Sequence, residues 1–331
     1  MTDFLSAKHL QTCRGLTLVE LLVVLTILAV LSTVALRSVA QITEEKRYEA
    51  NRSQLETIGA AVLGETNISG FIGDIGRLPI AQGTDSLDQL SELWSGGILP
   101  AYTIATPAGD SEVRLGVGWR GPYLDLGIGR DQLTDGYGDA LFNFEANGDL
   151  ADDGDTIAIV QSRGVDQAVG GDGVNSDTSV VFEADATAVT LGFSEVEVES
   201  TEDVVVVLQN ESGSLLQTDG NVLLVRAYGA NFAADGTGGL QTLRQAKFEF
   251  SDATDNPGTP PTRSSVSLTL TDLPLGLKVF RAYQVSGAVP ANEDNLTEIP
   301  ATAPTAVSAS VITQENLKGR TDGLSLILLA R

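Results

Sequence analysis

The sequence predicts an α+β chain in which a long N-terminal transmembrane helix leads into a small antiparallel-sheet head, followed by an all-β, sandwich-like domain. Three observations carry that prediction. Residues 16–36 form a run of 21 predominantly apolar residues. A helical pattern then continues to about Val62, with apolar Ile42, Leu55, Ile58, Ala61 and Val62 set among charges. Beyond about residue 190 the pattern changes to short alternating apolar segments divided by turn-forming residues.

The chain has 331 residues, 42% of them apolar, which suits about two domains with real cores. Its formal charge of −24, from 20 Lys plus Arg against 44 Asp plus Glu, disfavours nucleic acid as a partner and suits divalent cations. The one histidine, His9, and the one cysteine, Cys13, both precede the apolar run. A chain trimmed of residues 1–15 therefore has neither. That excludes Ser-His-Asp and Cys-His nucleophiles, His- or Cys-bound zinc and any disulfide. Acidic pairs such as Asp152 with Asp155 remain, without an aromatic-rich cleft segment to hold a sugar. The chain reads as a non-enzyme.

As a helix the apolar run spans about 31 Å, the thickness of a bilayer's hydrocarbon core. A secretory signal would be shorter, with its small-residue cleavage site after the apolar stretch. Here the small residue, Gly15, lies before it, so cleavage at Gly15 leaves the helix on the protein. Glu20 is the anomaly, because a carboxylate in an apolar span costs roughly 2.5–3.5 kcal/mol and calls for a partner or a task. Arg14-Gly15 followed by Leu16, Thr17, Leu18, Val19 and Glu20 resembles the processing site of type IV prepilins and type II secretion pseudopilins. The resemblance implies that a prepilin peptidase removes residues 1–15, that Leu16 is N-methylated, and that Glu20 pairs with a neighbouring subunit's amino terminus during assembly. The family usually has Phe where this chain has Leu16.

Residues 16–64 are expected to form one helix, transmembrane over 16–36 and amphipathic over 37–64, with Gly64 as a natural stop. Glu44, Glu45, Lys46 and Arg47 read as a solvated face. Residues 71–94 read as a Gly-containing loop, with a short helix over 87–93 before the breaker at Gly96, Gly97 and Pro100.

The head, residues 65–183, carries two blocks of interest. Residues 118–144 hold Gly-rich turns between short apolar stretches and read as the start of a small sheet. Residues 155–178 run from a strand into a loop with Asp166, Asp172 and Asp177 among chain-bending Gly and Asn residues. Calcium takes six to eight oxygens from carboxylates and backbone carbonyls, and a Gly-rich loop lets carbonyls turn inward. The earlier acidic run at Asp149 fails the EF-hand template, with Ala151 third and Val160 twelfth, and reads as a solvated turn.

Together these blocks resemble the C-terminal half of the major pseudopilin, the protein G type. Residues 135–141 loosely match its Asp-Pro-Trp-Gly-Asn-Pro-Tyr turn. Residues 162–166 and 170–177 match its calcium loop more closely. The resemblance implies Ca2+ held by Asp166 and Asp177, with Asp172 a further ligand. Arg163 stands where the family has Leu, and Gln167 where it has Gly.

Residues 184–331 have no counterpart in that family. Seven segments there read as strands, near Val196, Val204, Val222, Phe248, Val266, Val279 and Leu326, at the spacing of a sandwich. Within them residues 270–283 resemble, weakly, a hairpin of transthyretin-like sandwiches. The Pro-rich stretches at 256–263 and 298–305 read as loops.

The resemblance thus implies a structural subunit of a type II secretion pseudopilus or type IV pilus-like filament, supporting protein export. Its partners would be the prepilin peptidase, other copies and other pilin-like subunits, an inner-membrane assembly platform and membrane lipid. It would cross the inner membrane once with its globular part periplasmic, or extracellular within an assembled filament. The alternative is a minor or tip pilin, or a membrane-anchored adhesin, whose β extension binds a client or surface.

Overall fold

The computed structural model of the chain describes residues 17–65, 68–82, 89–127, 133–182, 194–197, 201–210, 221–249, 265–286, 306–316 and 324–328. It opens with α1, Leu18–Leu63, a helix of 46 residues. No Gly or Pro interrupts the chain from Leu16 to Ile58, which lets it run so far. Thr17 caps the start, and Gly64, at φ 80°, ends it by donating its N–H to Ala60 O. A Cβ at Gly64 would overlap the backbone of Ile68 and Gly70, so this stop requires glycine.

Two short pairs of strands follow, with a single-turn helix between them. β1 (Gly64–Glu65) pairs with β2 (Ile68–Ser69), and α2 covers Phe71–Ile75. The helix expected over 87–93 is represented among the described residues only by a 3₁₀ turn, Ser91–Leu93. β3 (Thr103–Ala105) then pairs with β4 (Leu115–Val117).

The head's main sheet has the order β5-β6-β7-β8, from Phe142–Phe144, Ile159–Ser162, Thr178–Val181 and Ser194–Glu197. Its first three strands are antiparallel and β8 joins β7 in parallel. The outer half of α1 lies on this sheet: Leu55, Ile58 and Val62 are buried with Val160 and Val180. Gly59 leaves room for Val180, whose Cγ2 would stand 3.4 Å from a Cβ there.

The remaining strands build two further sheets. β9 (Thr201–Asn210), β10 (Asn221–Phe232), β11 (Gly238–Glu249), β12 (Ser265–Pro274), β13 (Leu277–Ser286), β14 (Ala306–Asn316) and β15 (Leu324–Leu328) arrange as β11-β10-β13-β14 and β12-β9-β15. The strand expected near Val196 is β8 and belongs to the head sheet. Its place among the seven is taken by β14, which the sequence pattern did not reveal. Val204, Val206, Leu268 and Leu270 of one sheet are buried with Leu223, Val225, Ala227 and Ala282 of the other, the packing of a sandwich. The Pro-rich stretches at 256–263 and 298–305 lie outside the described residues.

Head and β region share one hydrophobic core, which extends from Leu55 and Ile58 of α1 to Val206 and Leu268. On the face of the β10–β13 pair opposite the sandwich core, Arg226 and Arg281 stand directly across from each other. Like charges at such a pair repel. Two head carboxylates answer Arg281, which binds Asp110 through Nη1 and Glu112 through Nη2. Tyr283 donates to Asp110 Oδ2 and shares a hydrogen bond with Tyr228, while Arg77 Nε reaches Phe232 O at 3.1 Å. At the same seam Gly76, at φ 88°, lies so close to Ala230 O that a side chain would not fit.

Candidate functional site

The first candidate site is the start of α1. Thr17 and Glu20 form a reciprocal capping box: Glu20 N–H donates to Thr17 Oγ1 at 3.3 Å, and Thr17 N–H donates to Glu20 Oε2 at 2.9 Å. Thr17 Oγ1 also donates to the same carboxylate oxygen at 3.0 Å. The pattern Thr-x-x-Glu is a helix-start signature in its own right, and reading it so would have placed the N-cap from sequence. The Glu20 carboxylate thus sits one turn in, where the helix's unpaired N–H groups favour negative charge. Gly15 and Leu16 lie outside the described residues.

From this cap, Leu18–Leu36 is long and apolar enough to cross a membrane, and none of it is buried within the chain. Leu18, Leu25, Leu31 and Val34 are all exposed. Apolar side chains bared on every side of a helix need either lipid or neighbouring helices.

The second candidate site is the loop from Ser162 to Asp177, between β6 and β7. Asp177 is 1% exposed, and its Oδ2 accepts from Gly170 N at 2.8 Å while its Oδ1 has no hydrogen-bond partner among the described residues. Burial pushes its carboxyl above the usual carboxylate range, against the pull of the Gly170 N–H and the Arg163 charge, and the Asp166 charge adds to the rise. Asp166 is exposed and caps its own turn by accepting from Ala168 N at 3.1 Å. Asp172 is exposed too, and its backbone carbonyl accepts from Asn175 N.

The three expected ligands are therefore near in sequence without forming one knot. Among the described residues, no group of three or more His, Cys, Asp or Glu side chains is placed to hold a metal ion. The residues fit a hard cation in a narrower way. Asp177 offers a buried, unpartnered oxygen that a cation would satisfy, Asp166 a second carboxylate, and the loop glycines a supply of carbonyls.

Arg163 and Gln167 each have a local role in the loop. Arg163 stacks over Phe142, its Cζ 3.7 Å from the ring centroid, so the longer side chain is accommodated on an aromatic face. Gln167 holds a left-handed backbone, φ 54°, unusual for a residue with a Cβ. Its Nε2 donates to Gly164 O at 2.9 Å and to Asp139 Oδ2 at 3.0 Å.

Asp139 ends the turn that begins at Asp135. Buried Asp135 organises it, accepting from Tyr137 N and Asp139 N through Oδ1 and from Ser162 Oγ at 2.7 Å through Oδ2. The turn docks on α1, where Gly136 N donates to Asn51 Oδ1 and Gln54 Nε2 donates to Thr134 O. A side chain at Gly136 would overlap the helix backbone at Arg47 and Asn51. The loop, the turn and the helix are thus one connected hydrogen-bond network.

Comparison with known families finds the prokaryotic N-terminal methylation motif over residues 10–36. No curated protein and no solved structure matches the chain.

Proposed function

We propose that the chain is the subunit of a pilin-like filament, of the type II secretion pseudopilus or type IV pilus kind, that assembles through α1 and supports protein export. The observation that carries this reading is the methylation motif over residues 10–36, set on a helix whose apolar half is left exposed by the described residues. A motif of this kind supports a structural subunit and not an enzyme. Prepilin peptidase cuts after Gly15, Leu16 becomes the N-methylated amino terminus, and Glu20 receives the amino terminus of a neighbouring subunit. Two opposite charges in an apolar surround gain most by neutralising each other.

Before assembly the helix anchors the chain once in the inner membrane, with the head on the periplasmic side and an assembly platform as its partner. Ca2+ binds at the 162–177 loop through Asp166, Asp177 and backbone carbonyls, with Asp172 as a further ligand. The unpartnered Oδ1 of buried Asp177 is what supports it. Asp177→Asn should abolish any rise in melting temperature on adding calcium, and an unchanged rise removes the site.

A minor or tip subunit, or an anchored adhesin, is the second reading. The two sheets formed by β9–β15, which enlarge the chain well beyond a single head, favour it. Intact mass of the native chain, from membranes and from sheared surface material, tests the main reading. Loss of residues 1–15 with one added methyl group is the expected result, and an uncut chain overturns it. Abundance in isolated fibres separates a major from a tip subunit.

A further inference from the structure

We propose that Gln167 is a metal-free latch: its side-chain amide, bonded at once to Gly164 O and Asp139 Oδ2, closes the acidic loop onto the turn that docks on α1. The geometry asks for such a role. A left-handed backbone at a residue with a Cβ is unfavourable, and it persists where the surroundings over-determine it. Here the strained backbone aims one nitrogen with two hydrogens at two oxygens of different segments, separated from Gln167 by 3 and 28 positions. One of those oxygens belongs to a carboxylate, so that bond is charge-assisted.

Bridging oxygens of separate segments is what a cation does in a loop of this type. The Gln167 amide performs part of that task with no ion. From Asp139 the connection passes through Asp135 to Ser162 at the loop's base and through Gly136 to Asn51 of α1. The latch therefore joins the loop's far side to the helix as well as to its own sheet. Its consequence for calcium rests on the cation reading above: an ion at Asp166 and Asp177 adds to a loop already closed, so removing it leaves the loop–turn junction intact. The latch itself stands without that reading.

Amide hydrogen exchange of the full chain in detergent, with EGTA or with calcium, tests the proposal. Two variants remove the donor. Gln167→Gly keeps the left-handed conformation available, and Gln167→Glu keeps the length. In EGTA the wild-type loop over 163–177 should be protected, and both variants should exchange at least ~10-fold faster there, the loss expected for two hydrogen bonds. Protection of β9–β13 should be unchanged, reporting an intact fold. A wild-type loop that is unprotected in EGTA overturns the latch, as does either folded variant exchanging within about twofold of wild type. Calcium titration by calorimetry reads separately: no heat in wild type removes the cation site and leaves the EGTA result to decide the latch.

Discussion

Two regions of this molecule break the ordinary partition of residues in opposite ways. Along the inner half of α1, leucines and valines are bare, Leu28 being 53% exposed. At the seam between head and β region, charges are sealed in, with Arg226 at 1% and Lys278 at 0% exposure. The seam resolves part of its violation internally, with Asp110 and Glu112 set against Arg281, and carries the rest at Lys278. The described residues leave the inner helix exposed, with none of it buried. The difference teaches where the fold satisfies itself and where it calls for an apolar surround, either lipid or neighbouring helices.

The largest expected effect comes from the one charge in the bare region. Glu20→Ala should leave insertion and leader removal intact while fibre yield falls at least ~10-fold, because a charge in an apolar surround acts through its partner. Normal yield, read by shearing and quantitative blotting, would break the comparison on the helix side. Next is the seam itself: Arg281→Ala leaves Asp110 buried without its cation and should cost about 3–5 kcal/mol in denaturant unfolding. A loss under ~1 kcal/mol would show the seam charges to be ornamental there.

Lys278 sharpens the contrast: its ammonium donates to Leu275 O at 3.0 Å, and burial pushes it down to about 7 against the opposing pull of the Asp74 charge. Folding must then strip a proton that the unfolded chain, with its lysine near 10.5, keeps. Stability consequently rises with pH between about 7 and 10.5 and carries the full penalty below that window. Lys278→Met should raise stability at pH 7 by on the order of 2 kcal/mol, net of the lost hydrogen bond, and the gain should fade toward pH 10. A gain independent of pH would remove the buried-amine account. The smallest effect belongs to Leu28→Ala, which should change head stability by less than ~0.5 kcal/mol, because the described residues leave that side chain exposed.

The helix was legible because its signals are local. An apolar run, the lack of Gly and Pro, and a stop at Gly64 place it over 16–64, within two residues of Leu18–Leu63. The acidic loop was legible as a loop, since Gly and Asn declare turns wherever they cluster. Other features depended on distance. Arg281 and Asp110 meet across 171 positions, and nothing in either neighbourhood marks them as partners. β14 escaped because Ala306–Asn316 is rich in small and polar residues, whose place in a sheet is set by β13 beside it and not by its own pattern. Gln167 read as a departure from a resembled glycine, whereas its side chain has work that only the folded position of Asp139 defines.

The length of α1 has a mechanical meaning. At 46 residues it is a rod of about 69 Å, capped at Thr17 and rooted at its other end among Leu55, Ile58 and Val62. A pull on the head is carried along the helix axis by hydrogen bonds that are loaded in parallel strings from one end to the other. The rod has no proline or glycine hinge before Gly59 at which to yield. Tension applied at the head therefore travels along the helix toward Thr17 with no hinge along the way to absorb it.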